Sequence, residues 1–123
     1  MTEEMLSLDF EVKLGDETHE VFMSYGLLNE LTKIVGSPES VVQAHFDEVL
    51  RTKLLTALFT KRKKSGKPEG DSVDVSDLEI SIEDVDAILT WALMHVTDFF
   101  VQGMLRSQEI LKRQEAKIPM MET

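Results

Sequence analysis

The feature that most constrains this chain is one long amphipathic stretch, which runs from Ser81 to about Lys117. Apolar residues recur there every three or four positions, and this spacing predicts an α-helix over residues 82–116. At 1.5 Å per residue such a helix is about 50 Å long, whereas a compact domain of this size is roughly 35 Å across. We therefore expect the helix to extend beyond its own domain, where an exposed apolar surface favours a binding partner.

The two halves of this predicted helix differ in composition. Apolar residues are dense from Val85 to Met104, where we expect the helix to form the centre of the core. Beyond Met104 the apolar stripe thins among charged and amide side chains, so the second half is predicted to project. The segment FFVQGM (Phe99–Met104) lies where the dense apolar stripe becomes sparse. Its large and adaptable apolar side chains flank a glycine. This segment is typical either of core packing or of a surface that another helix approaches.

Strict alternation of apolar and polar residues marks the beginning of the chain. Residues 6–14 read LSLDFEVKL, which predicts a strand with one face on a core and the other in water. Residues 15–18 have turn composition, and a second, shorter strand follows to Ser24. Residues 6–24 are therefore predicted to form a β-hairpin, whose apolar face must rest on helices because an isolated hairpin is marginally stable.

Two further helices are predicted between the hairpin and the long helix. Leucines at helical spacing predict a helix over residues 27–35, which Gly36 ends, and Ser37-Pro38 begins another over residues 38–60. The predicted fold class is α+β, mainly α: an N-terminal β-hairpin followed by three helices, the last one long. We interpret residues 1–117 as a single domain and residues 118–123 as a flexible tail, because Pro119 cannot continue a helix.

Residues 61–72, KRKKSGKPEGDS, are predicted to form a loop in which a basic run precedes an acidic one. The net charge of the chain is −10, which disfavours nucleic acid as a partner. Adjacent basic and acidic blocks are typical of a solvated loop, but they would also attract each other between copies of the chain. The residues predicted to promote such oligomerisation are Lys61, Arg62, Lys63 and Lys64. The partly alternating residues from Val73 to Ile82 suggest a short strand at the hairpin edge.

No pattern in the chain indicates catalysis, a bound metal or a cofactor. There is no cysteine, the three histidines lie in three separate predicted elements, and phosphate-binding and nucleophile-elbow motifs are absent. Carboxylate pairs that meet only in the fold stay open as hydrolytic groups. No apolar run approaches the ~20 residues that span a bilayer, and MTEEMLSLDF lacks the features of a secretion signal. We therefore expect a cytoplasmic protein that binds no membrane.

Two segments together resemble a known family: LDFEVKLGDETHEVFMSYGLLNELTKIVG, and ISIEDVDAILTWALMHVTDFFVQGML at the entry into the long helix. Their order and character are similar to those of the tail assembly chaperones of long-tailed bacteriophages, and the resemblance covers most of the chain. It implies a non-enzymatic helper in the bacterial cytoplasm, which coats the helical, aggregation-prone tape measure protein while tail-tube subunits polymerise around it. It also implies self-association, absence from the mature virion and, in many cases, a longer frameshifted product.

A helper for long apolar helices needs an apolar surface that accepts many sequences. The predicted partners are the tape measure protein, the tail-tube subunit and further copies of this chain. The candidate contacts are Val96, Phe99, Phe100, Met104 and Leu111 on the long helix, with Leu50, Leu54 and Leu58 beside them.

Three other functions stay open at the level of sequence. A ring-forming virion subunit of the neck or tail-completion type would use the long helix for assembly and would be found in finished particles. A small acidic inhibitor that imitates nucleic acid would need its acids on a rigid face, whereas those of residues 69–86 lie largely in a predicted loop. An enzyme of unknown type is the least favoured reading.

Overall fold

An antiparallel hairpin and three α-helices make up the fold, and the predicted α+β, mainly α class is confirmed. The structure is a computed structural model that describes residues 6–117, with side chains described to Glu115. The elements are β1 (Asp9–Leu14), β2 (Glu17–Phe22), α1 (Tyr25–Val35), a 3-10 helix (Pro38–Gln43), α2 (Glu48–Phe59), a second 3-10 helix (Val75–Asp77) and α3 (Ile82–Lys117). The tail predicted at residues 118–123 lies outside the described residues.

The hairpin is built as the alternation predicts. β1 pairs with β2 from Asp9 opposite Phe22 to Leu14 opposite Glu17, and Gly15 makes the turn with a positive φ of 61°. Val12 and Val21 lie on the face that is buried against the helices. The opposite face carries the charged side chains into solvent, so register and amphipathicity agree.

Helix α1 begins two residues earlier than predicted because Ser24 caps it. The Ser24 hydroxyl accepts a hydrogen bond from the Leu27 amide at 3.2 Å, which satisfies a backbone donor of the first turn. The helix ends where predicted, at Gly36, whose φ of 86° lets its amide donate to the Thr32 carbonyl. Leu27, Leu31 and Val35 form its buried face.

The single helix predicted over residues 38–60 is wrong. A 3-10 helix spans Pro38–Gln43, a turn follows, and α2 begins only at Glu48. The reason is Asp47, whose carboxylate accepts from the amides of Val49 and Leu50 at 3.0 and 3.1 Å and so starts a new helix. After this break, α2 buries Leu54, Leu55, Ala57, Leu58 and Phe59.

Helix α3 confirms the predicted long helix. It begins after Ser81, whose hydroxyl accepts from the Asp84 amide, and its first part contributes Ile88, Leu89, Ala92, Leu93 and Val96 to the core. From Val101 to Glu115 every residue is exposed except Gly103, which is half-exposed. We call residues 97–117 the arm. The prediction of a core half followed by a projecting half is confirmed, but the change lies near residue 97 instead of at Met104.

The segment before β1 is fixed on α3 by hydrogen bonds to one backbone carbonyl. Trp91 donates its indole N–H to the Ser7 carbonyl at 2.8 Å, and the His95 ring nitrogen Nε2 lies 2.8 Å from the same oxygen. The Trp91 ring also contacts Phe10 and His95, each with its centroid 5.2 Å away. These contacts attach the hairpin to the core half of α3.

The predicted loop at residues 61–72 is partly ordered by Arg62. A bridge between Arg62 and Pro68 closes a small turn, and the guanidinium donates to the carbonyls of Ala57 and Gly66. It also forms a 2.9 Å ion pair with Glu30 of α1. The strand suggested for residues 73–82 does not form. That segment meets the hairpin through one backbone bond, from the Gly15 amide to the Glu79 carbonyl at 2.8 Å.

Candidate partner-binding surfaces

The arm carries an apolar stripe that continues from the core face of α3. We define the arm stripe as Phe99, Phe100, Gly103, Met104, Ile110 and Leu111, which recur at the spacing of one helix face. Phe100 still packs against the core, whereas Phe99, Met104 and Leu111 are 38%, 55% and 59% exposed. The stripe therefore begins in contact with the core and ends entirely in solvent.

Gly103 creates a notch in the middle of this stripe. The concavity there has a volume of about 530 Å³ and is lined by Phe99, Phe100, Gly103, Met104, Ser107 and Gln108. A Cβ atom placed on Gly103 would meet nothing within 4 Å, so the notch is open space. A large apolar side chain from a second helix can enter such a hole between the walls that Phe99 and Met104 form.

Three of the predicted contacts are core residues, which corrects the sequence-based surface. Val96, Leu54 and Leu58 are 0%, 1% and 2% exposed, and Leu50 is half-buried against the same core. The apolar face of α2 is covered by the chain itself, so it does not lie open beside the arm. The structure brings together only Phe99, Phe100, Met104 and Leu111 as a surface on α3.

The predicted oligomerisation residues also divide into two kinds. Arg62 has a side chain that is only 9% exposed and is committed to Glu30 and two carbonyls of its own chain, so that prediction is wrong for Arg62. Lys61, Lys63 and Lys64 are exposed. Within residues 6–115 they have no carboxylate at ion-pair distance.

The sequence-based reading missed a second apolar surface on α3. A groove of about 600 Å³ lies between the 3-10 helix Pro38–Gln43 and the side of α3 that carries Met94 and Val101. Its apolar lining consists of Leu6, Val41, Val42, Leu93, Met94 and Val101. Met94 and Val101 lie seven positions apart, which was a detectable signal. Val42 was not, because a continuous α-helix was predicted over residues 38–60 in place of this 3-10 helix.

A third feature, which we call the edge cleft, lies between β2 and the segment 60–64. Its volume is about 530 Å³ and its floor is apolar, formed by Val21, Leu27 and Leu58. The hairpin side of the rim carries Asp9 and Glu20, and the other side carries Lys61, Lys63 and Lys64. No sequence pattern indicated this cleft, because it depends on the ordered position of the loop.

The three histidines have structural surroundings. Burial lowers the pKa of His19, which packs on Phe59 at a centroid distance of 5.2 Å, and the Leu58 carbonyl opposes this shift only partly. His45 Nδ1 lies 3.2 Å from the Asp86 carboxylate, and His95 is bound to the Ser7 carbonyl. Among the described residues, no three His, Asp or Glu side chains come together in a way that could hold a metal ion.

The arm differs in charge from the rest of the chain. Arg106, Lys112 and Arg113 outnumber Glu109 and Glu115 between residues 99 and 115, although the whole chain has a net charge of −10. Arg113 lies 4.0 Å from Glu109, a pair that is too exposed to contribute much to stability. A partner helix with acids beside its apolar face would therefore meet favourable charges on the arm.

Helix α3 also satisfies a simple test for a membrane span. By length and composition it is apolar enough to cross a bilayer, but 39% of the apolar window is buried inside this fold. A core helix passes the same test, and here Ile88, Leu89 and Val96 account for much of the hydropathy. The observation is weak evidence for a membrane span.

Comparison of the chain with protein-family models, with curated proteins and with solved structures finds no match in any of the three.

Proposed function

We propose that this chain is a non-enzymatic phage tail assembly chaperone, which binds and solubilises apolar helical segments of the tape measure protein in the bacterial cytoplasm. The observation that carries the proposal is the arm stripe, an apolar helix face that leaves the core and is exposed from Phe99 to Leu111. Single exposed apolar residues are ordinary on protein surfaces, but a row of them along one helix face, here interrupted by Ser107 and Gln108, favours a helical partner.

The shape of the arm stripe suits a client whose sequence varies along its length. Met104 adapts to differently shaped neighbours, and the notch at Gly103 accepts side chains of several sizes. From Val101 to Lys117 the arm extends about 25 Å at 1.5 Å per residue, which corresponds to several turns of a client helix. A surface of this kind holds a client without selecting one short motif.

The charge of the chain supports the same proposal. A net charge of −10 would keep a complex with an apolar client dispersed, because like charges on neighbouring complexes repel. The slightly basic arm would meanwhile attract acidic groups that flank the apolar face of the client.

The decisive experiment is co-expression with the tape measure protein of a long-tailed bacteriophage. We expect wild-type chain to keep the client soluble and to co-purify with it, and the double variant Phe99→Asp with Met104→Asp to lose both properties while remaining folded by circular dichroism. The control is Gln102→Asp with Leu105→Asp, which adds two charges to the side of the arm away from the stripe and is expected to keep the client soluble.

Two outcomes would overturn the proposal. If both double variants solubilise the client as well as wild type does, the arm stripe is not the binding surface. If mass spectrometry finds the chain in finished virions at the abundance of a ring subunit, it is a structural component of the neck or tail.

A filling substitution at the notch tests the surface without adding charge. Gly103→Leu occupies the hole, so binding of the client is expected to weaken. The fold should be stabilised rather than harmed, because glycine within a helix costs about 0.5–1 kcal/mol relative to alanine. Opposite changes in binding and stability are difficult to obtain from general damage to the protein.

A further inference from the structure

The outer edge of β2 presents unpaired backbone groups. The Met23 amide donates to the Leu8 carbonyl at 2.7 Å, which identifies this pair as hydrogen-bonded within the hairpin register. Because such pairs alternate along an antiparallel ladder, the backbone groups of Glu20 and Phe22 point away from β1. The Phe22 carbonyl already accepts from the Ser24 amide at 2.9 Å. The groups left facing outward are the amides of Glu20 and Phe22 and the carbonyl of Glu20. The two-stranded sheet therefore has an edge that can accept another strand.

The edge cleft lies along this free edge. Its lining includes His19 and Val21 from the buried face of β2 and Glu20 and Phe22 from the solvent face. A cavity that touches both faces of a strand runs beside its edge. An extended peptide placed there would meet backbone donors on one side and the apolar floor of Val21, Leu27 and Leu58 beneath.

The opposite wall of the cleft is held in place rather than loose. Arg62 fixes the segment to α2 and α1, and Gly66 is buried at the start of α1. A Cβ at Gly66 would lie 2.2 Å from the Ser24 hydroxyl and 2.8 Å from the Leu27 amide, and Gly66 has a φ of 96°. Only glycine permits this close approach of the lysine-bearing segment to the start of α1.

The charges of the cleft indicate what would occupy it. Lys61, Lys63 and Lys64 line one wall without ion-pair partners among the described side chains, in a chain whose net charge is strongly negative. Arg62 is already neutralised by Glu30. Asp9 and Glu20 on the opposite rim make the cleft unfavourable for a continuous phosphate backbone, whereas isolated carboxylates on a peptide can face the lysines.

We propose that the edge cleft binds an extended peptide segment with acidic side chains, which adds as a third strand to β2. Its backbone pairs with the amide and carbonyl of Glu20 and with the amide of Phe22. Its apolar side chains contact the floor, and its carboxylates face Lys61, Lys63 and Lys64. This is the strand-addition mode of peptide recognition. The proposal is independent of the function proposed for the arm, since the two surfaces share no residue.

The test is a titration of the full chain, labelled with ¹⁵N, with the blocked peptide Glu-Val-Glu-Val-Glu-Val. We expect the amide resonances of Glu20, Phe22 and residues 61–64 to shift, with little change along the arm. Lys61→Glu combined with Lys63→Glu should weaken binding about tenfold or more, because attraction becomes repulsion. The matched control is Lys33→Glu with Lys53→Glu, exposed lysines on α1 and α2 outside the cleft, which should bind nearly as wild type does.

Two further peptides separate the parts of the proposal. The same peptide with alternate backbone amides N-methylated keeps its charges but cannot pair as a strand, so it should not bind. Lys-Val-Lys-Val-Lys-Val keeps the strand propensity but reverses the charges, and it should also fail. Binding of either peptide at the affinity of the first would overturn the proposal. Concentration-dependent shifts of Glu20 and Phe22 without any peptide would also overturn it, since a second copy would then occupy the edge.

Discussion

The two halves of α3 are one continuous helix, but different forces hold them. In the core half, Ile88, Leu89 and Val96 are buried among the hairpin and the other helices. In the arm, side chains are exposed and the helix depends on its own backbone bonds and local pairs. Most helical stability in proteins comes from tertiary packing of an apolar face. The arm therefore keeps its helical form largely because the packed half nucleates it.

The largest expected difference between the core half and the arm is the loss of stability when a leucine is replaced by alanine. Leu89→Ala should lower the free energy of unfolding by about 2–5 kcal/mol, because it leaves a cavity in the core. Leu111→Ala should change it by less than about 0.5 kcal/mol, because the side chain is mostly exposed to solvent. Urea denaturation followed by circular dichroism measures both. A cost at Leu111 similar to that at Leu89 would mean that the arm packs against part of the protein.

A smaller effect is expected where the core half attaches the start of the chain. Trp91→Phe removes the indole donor to the Ser7 carbonyl and reduces aromatic contact with Phe10, which should cost about 1–2 kcal/mol. Hydrogen exchange should quicken in β1 and remain unchanged in the arm. Circular dichroism is the appropriate probe, because Trp91 is the only tryptophan. Faster exchange in the arm as well would show that the two halves are coupled.

Replacing the glycine of the arm should increase the free energy of unfolding, whereas the core substitutions above decrease it. Gly103→Ala places a Cβ in open space within a helix and should raise the free energy of unfolding by up to about 1 kcal/mol. A smaller gain would mean that the end of the arm frays independently of the core. The matched variant is Gly66→Ala, where a positive φ and the Ser24 hydroxyl oppose any side chain, and it should destabilise by more than Gly103→Ala stabilises.

The smallest expected effect concerns pH, and it distinguishes the core from the arm because residues 97–115 contain no histidine. Burial lowers the pKa of His19 below its usual 6.5, so the unfolded chain binds a proton more readily than the folded one. His19 therefore contributes a loss of stability as the pH falls through 6.5 toward its folded pKa. The stability difference between wild type and His19→Leu should change over that range. A constant difference would contradict the assignment.

Secondary structure was predicted correctly where a repeating apolar pattern was not interrupted by a capping residue. The alternation of residues 6–14 and the apolar periodicity of α3 each extend over many positions, so the hairpin and the long helix followed directly. The break before α2 was not predictable in this way, because a single carboxylate at Asp47 overrides the apolar pattern across it. Val42, Phe46 and Val49, which fall within the helix predicted over residues 38–60, are exposed.

The candidate surfaces were predicted only in part, for related reasons. Periodicity placed Phe99, Met104 and Leu111 on one face of the arm, but it could not tell that Val96 on that same face is covered. The order of the segment 61–68 depends on Arg62 reaching the carbonyls of Ala57 and Gly66. Hydrogen bonds to backbone carbonyls cannot be recognised from the amino-acid sequence. The ordered segment that carries Lys61, Lys63 and Lys64 was therefore predicted to be a loop.

The exposure of the arm has a consequence for how mutations are tolerated. A side chain in the core must satisfy its neighbours in the same chain whatever the protein binds, so folding alone limits its replacement. From Val101 to Glu115, nearly all side chains face solvent, and only helix propensity and the partner limit them. A saturation mutagenesis scan could score every variant once for folded abundance and once for biological activity. We expect the two scores to agree in the core and to differ in the arm. Positions sensitive only in the second score would map the footprint of the partner.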